Sequence, residues 1–325
     1  MDLVEERTDG TIRCGVCQWG CEIAPRGIGR CLVRSNDGGR MVSAHAGVVS
    51  GAQIGRIEDH RLWHFFPGTP VLAVGSYGYA LPADQERGPY ALLPDDPRKR
   101  RTLDAERMAE VALERLCRGV VWGFGDPSVS AEYLFEVLQT CRANSRYTAM
   151  VTSGYHSIAS LDGFGPYLDG MCLELRGFDD GAYRRLGGLS SWRGILDLAD
   201  HARRRWGVHI EVLTRLHPGV NDSSAQLDAM ARWIAETLGG FTVWHTLPGD
   251  AGSEAAAAVA RARRSGREAG LLYMYGGEAQ QPTLCPKCGA LAIDRSAGPA
   301  RTVGLDGGRC AGCGYDLHVR TSIFK

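Results

Sequence analysis

The sequence predicts an α/β fold: parallel strands alternating with helices, closed or partly closed as a β/α barrel, with a cysteine-rich module at each end. Three observations predict it. Short β-rich runs alternate with amphipathic helical runs through the middle of the chain. Eight of the eleven cysteines fall near its two ends. The 325 residues, 44% of them hydrophobic, are enough for a large core with appendages.

In chain order, the first element is a loop-like segment holding Cys14, Cys17, Cys21 and Cys31, with Gly15, Gly20, Gly27 and Gly29 among them. It has no hydrophobic periodicity, so something other than a core must hold it, and a second zinc site is the first reading. Thiolates at short spacings also hold [4Fe–4S] clusters, and spacing does not choose between the two. Strands are then expected at 71–75, 119–124, 147–152, 170–176, 208–215, 241–245 and 271–275. Helices are expected at 104–117, 131–143, 157–168, 191–206, 223–238 and 254–269. The run from Arg98 to Arg101 reads as a solvated helix entry, or else as a contact for an anionic ligand or partner. Cys117, Cys141 and Cys172 stand singly in apolar surroundings and read as buried small hydrophobes.

The last element is the most specific signal. Cys285-Pro-Lys-Cys288-Gly and Cys310-Ala-Gly-Cys313-Gly are two knuckles with 21 residues between Cys288 and Cys310. The glycine after each pair lets the backbone turn so that amides face the sulfurs, and 291–294 with 301–304 reads as a hairpin between them. Four protein thiolates fill a tetrahedral zinc completely, so this metal is structural, with a rubredoxin-like iron site as its rival. The expected domains are 1–68 (cysteine module and lead-in), 69–280 (barrel) and 281–325 (zinc ribbon).

Charge excludes some partners. Thirty-seven basic residues balance 37 acidic ones, and the ribbon has no dense basic stripe, so nucleic acid is not an expected partner. The first ten residues carry Asp2, Glu5 and Glu6 without an apolar run, and no stretch reaches the length of a membrane span. A soluble, cytoplasmic protein with reduced cysteines is expected, taking a small-molecule ligand, a protein partner or both. In β/α barrels the chemistry sits where strands run into helices, which directs attention to the turns after residues 75, 124, 152, 174, 215 and 245.

Those turns, with the cysteines, carry a resemblance over nearly the whole chain. Cys17-Gln-Trp-Gly-Cys21, Gly29-Arg-Cys31-Leu-Val-Arg34, Leu62-Trp-His-Phe-Phe-Pro-Gly68, Gly125-Asp-Pro127, Val151-Thr-Ser-Gly-Tyr155, Phe178-Asp-Asp-Gly-Ala-Tyr-Arg-Arg-Leu186, His217-Pro-Gly-Val-Asn-Asp-Ser223 and Trp244-His245 occur in order before the terminal knuckles. The chain thus resembles the radical S-adenosylmethionine (AdoMet) enzymes of the AmmeMemoRadiSam system, relatives of the pyruvate formate-lyase activating enzymes. The resemblance implies a partial (β/α)6 barrel that binds AdoMet at its strand ends.

It also implies a Cys-x3-Cys-x2-Cys loop after the first barrel strand, where three thiolates hold a [4Fe–4S] cluster that cleaves AdoMet to a deoxyadenosyl radical. Here the aligned positions are Tyr79, Ala83 and Glu86, and no cysteine occurs between Leu32 and Leu116. A phenol, a methyl group and a carboxylate cannot replace soft thiolates as a set, so no [4Fe–4S] cluster is expected at that loop. The resemblance carries AdoMet contacts onto Asp126, which matches the acidic residue receiving the amino group, onto Ser153, and onto Glu174 and Arg176, where the family has Asp-x-Lys. His245 is a further candidate near the pocket, while His60, His64 and His217 read as structural.

The expectation is therefore a degenerate, non-radical relative, a pseudoenzyme that binds a small molecule or serves as scaffold or regulator, with zinc at both ends. Its rival is an active radical AdoMet-type or AdoMet-dependent redox enzyme whose iron–sulfur cluster hangs on Cys14, Cys17, Cys21 and Cys31. Non-radical acid–base chemistry by Asp126 and His245 is a third reading.

Overall fold

The computed structural model describes residues 3–249, 251–277 and 280–323. Its contacts divide the chain into two units. The first comprises Met1–Ile54, Val71–Asp169 and Gly187–Val208, and the second Gly55–Pro70, Gly170–Leu186 and His209–Lys325. This division does not follow the expected boundaries after residues 68 and 280. The cysteine module has too small an apolar cluster of its own (Leu3, Ile12, Cys14, Val16 and Ile23) and completes it with Ala131 from a helix of the first unit.

In the first unit, strands Pro70–Gly75, Gly119–Phe124 and Tyr147–Thr152 are parallel, with Gly119 opposite both Val71 and Tyr147. Their buried apolar runs are those of a sheet covered on both faces. Helices Ala105–Glu114 and Ala131–Ala143 follow the amphipathic periodicity, the first capped by Asp104, whose carboxylate accepts from the Arg107 N–H. Two glycines set the strand ends. A Cβ on Gly75 would lie 1.9 Å from the Phe124 carbonyl oxygen, and one on Gly125 (φ 65°) 2.0 Å from that of Ser76. This close crossing aims Asp126 across the end of the first strand.

The N-terminal segment adds a small antiparallel sheet, Val4–Glu6, Ile12–Cys14 and Glu22–Ile23, and a hairpin, Arg34–Asp37 with Arg40–Ser43. Residues 98–101 are not a helix entry. Pro97–Lys99 is one 3-10 turn and Arg101–Thr102 pairs antiparallel with Val48–Val49.

In the second unit, strands Gly170–Glu174, His209–Leu216, Trp244–Pro248 and Met274–Gly276 are parallel in that order, with helices Ser224–Trp233 and Ser253–Glu268 between the later ones. The last two strands start three residues later than the sequence pattern suggests. A π turn, Ile234–Leu238, prolongs the preceding helix, and Gly239 (φ 103°) turns the chain, so sheet pairing starts only at Trp244. The parallel strands and helices are the expected α/β fold.

Candidate metal centre and strand-end sites

The C-terminal knuckles meet. Cys285 and Cys313 sulfurs are 3.6 Å apart, as are those of Cys288 and Cys310, and all four lie within 4.8 Å of one another. Four thiolates around one zinc at about 2.3 Å would stand just under 4 Å apart, so the group is sized for a single tetrahedral ion. Each knuckle is built alike. The Gly289 N–H donates to Cys285 O and the Gly314 N–H to Cys310 O, both at 2.8 Å, with left-handed φ of 75° and 69° as the sequence requires. Ala292, Ile293, Leu317 and Val319 pack beneath as a separate apolar cluster. The hairpin differs in part: Asp294 bridges Arg301 as expected, but Leu291–Ile293 pairs with Thr283–Leu284.

The N-terminal cysteines are arranged differently. Cys14, Cys17, Cys21 and Cys31 line one small apolar cavity with Val16, Ile23, Gly29, Arg34 and Val129. Among the described residues only the C-terminal four bring three or more ligand atoms within 4.8 Å, so the expected second zinc site is not formed as a compact set. Backbone N–H groups of Val16, Trp19 and Val33 face the sulfurs of Cys14, Cys17 and Cys31. Burial raises all three thiols, with the neighbouring thiols adding to the rise and Arg34 lowering Cys14 and Cys31. Arg34 is itself buried, donating to Glu132 Oε1 at 2.7 Å and to the Val129 carbonyl at 3.1 Å.

This module packs on the strand ends of its own unit. Cys17 bridges His156, the Gln18 amide donates to the Gly154 and His156 carbonyls at 3.0 Å, and the Trp19 indole donates to Ala80 O at 2.7 Å. The loop that would hold the family's cluster is a packed turn. Ala80 and Leu81 are fully buried and Pro82–Arg87 is a short helix containing Ala83, with Tyr79 partly buried before it and Glu86 exposed. Burial pushes the Tyr79 phenol up to about 12, so it stays a neutral hydroxyl. These residues do not fit an iron–sulfur cluster.

Asp126 does stand at a strand end beside Ser153. Its carboxylate accepts from the Ser153 hydroxyl at 3.0 Å, the Ala80 N–H at 3.2 Å and the Ser128 N–H at 3.0 Å. Three of its roughly four acceptor positions are thus taken within the protein. In the second unit Glu174 ends its strand, and Arg176 lies 3.4 Å from it while also donating to Leu186 O at 2.8 Å.

His245 is not at a strand end. Because its strand starts at Trp244, it is the second residue, fully buried, with Nε2 2.8 Å from Glu211. Full burial and the Glu211 partner make His245 part of a core network. Glu211 is the residue that sequence reasoning missed. This fully buried carboxylate accepts the N–H groups of Trp63 and His64 at 3.0 and 2.7 Å and the rings of His209 and His245 at 3.0 and 2.8 Å. Its signal was a lone acid on the core-facing period of a β-branched strand. Asn221, also fully buried, ties two loops: its amide donates to the Arg176 and Arg215 carbonyls and its oxygen accepts the His217 N–H.

No family model matches the chain. It is 27% identical over 330 residues to an uncharacterized protein of Methanocaldococcus jannaschii, covering 97% of each. Over 118 residues, 36% of this chain and 38% of the relative, it is 27% identical to the isethionate sulfite-lyase activating enzyme of Oleidesulfovibrio alaskensis. A radical SAM methyltransferase from Sphaerobacter thermophilus is similar in structure, with a TM-score of 0.50 and 17% identity over 70% of this chain and 71% of that one, a likeness of fold. The chain is thus similar in fold to a radical SAM methyltransferase and, over about a third of its length, similar in sequence to an activating enzyme.

Proposed function

We propose that this chain is a degenerate radical AdoMet-like protein that does not run the superfamily's radical reaction. It acts in the cytoplasm by binding a polar small molecule at its strand ends, AdoMet first among the candidates, or as a regulatory scaffold. The C-terminal cysteines hold a structural zinc. One observation carries the reading: strand Pro70–Gly75 runs into a thiol-free loop, buried at Ala80, Leu81 and Ala83, where the cluster loop of its relatives would stand. With no cluster iron to chelate it there, a bound AdoMet would rest on hydrogen bonds and ion pairs alone. The Glu174–Arg176 pair of the second unit supports the reading, since a guanidinium is suited to a carboxylate.

Titration calorimetry with AdoMet tests the ligand. Binding to wild type, weakened at least about tenfold in Arg176→Ala, supports the pocket. Absence of heat in both proteins would remove the ligand and leave the scaffold reading.

A further inference from the structure

Two cysteine quartets in one chain differ in size. The C-terminal set is compact, with sulfur pairs at 3.6 Å. The N-terminal set encircles one apolar cavity yet brings no three sulfurs within 4.8 Å, among the described residues. One tetrahedral ion draws its thiolates closer than that. Four protein thiolates beyond the reach of a single ion can satisfy several tetrahedral metals only if bridging ligands supply the remaining positions, and inorganic sulfide is the bridging ligand that soft thiolate sites accept.

From this geometry we infer that Cys14, Cys17, Cys21 and Cys31 hold a [4Fe–4S] cluster, one thiolate to each iron. The surroundings suit it. Val16, Ile23 and Val129 line the cavity, and backbone N–H groups two residues after Cys14, Cys17 and Cys31 face their sulfurs. Every iron is ligated by protein, so none is open to chelate the amino and carboxylate groups of AdoMet. The site is therefore an electron-transfer or structural centre, and it stands whether or not the strand ends bind a ligand.

The test uses the full chain, purified and reconstituted anaerobically with iron and sulfide, with iron, sulfide and zinc counted per chain. About four irons and four sulfides with about one zinc are expected. Cys285→Ser should lose the zinc and keep the iron. Cys14, Cys17 and Cys31 are buried, whereas Cys21 is partly exposed; Cys21→Ala/Cys31→Ala leaves only two thiolates, too few for the cluster, and should lose at least half of the iron. The electron paramagnetic resonance signal of the reduced wild type should not change on adding AdoMet. Two zincs without sulfide, two irons per chain, full iron retention in Cys21→Ala/Cys31→Ala, or an AdoMet-sensitive signal would each overturn the assignment.

Discussion

Glu211 concentrates four donors on one buried carboxylate, and its protonation state follows from them. Burial alone would raise it, but hydrogen bonds from His209 and His245 hold it below the usual carboxylate range. Burial lowers His245 and pushes His64 down to about 3. All three groups have depressed folded values, so their contribution to stability is full above the ordinary histidine value and is lost as pH falls. For His64 and His245 the window runs downward from about 6.5, at about 1.4 kcal/mol per pH unit for each ring. Urea unfolding at about pH 7.5 and about pH 5.5 should show the lower stability at the acid value, and equal stability would refute this. Glu211→Gln keeps the shape but turns an amide N–H2 toward two donors, and a loss of about 3 kcal/mol is expected by the same measurement. A change below about 0.5 kcal/mol would mean that the carboxylate is not the hub described. None of this was legible in the sequence, because one acid in a strand reveals its face but not which loop backbone it will serve.

Elements were more legible than residues. Strands 119–124 and 147–152 and helix 131–143 fall where their periodicity puts them, and the knuckles close as their spacing and glycines require. Strand 244–248 was misplaced because Phe241-Thr-Val243 has β propensity yet is used to turn out of the π-prolonged helix. That three-residue shift also moved His245 from the expected C-terminal rim to the second residue of its strand. The cysteine knuckles sit on their own apolar cluster, so Cys285→Ser should release about one zinc and destabilise the C-terminal segment while helical circular dichroism persists. Cooperative loss of the whole spectrum would contradict this.

At the scale of the whole molecule, the α/β class and the relationship to radical AdoMet enzymes could be read from the order of short motifs. The division into units could not, since it depends on which core each small module borrows: Ala131 for the cysteine segment, Glu211 for the lead-in at Trp63 and His64. The same dependence explains why the first-strand loop is a folded element. Its Ala80 backbone is held by Trp19 from one side and Asp126 from the other. The central claim, that this fold has given up radical generation at that loop, is tested most directly by incubating anaerobically reconstituted, chemically reduced protein with AdoMet and measuring 5′-deoxyadenosine. No product above the protein-free control is predicted, even with iron and sulfide bound. Formation of 5′-deoxyadenosine in proportion to protein would contradict it.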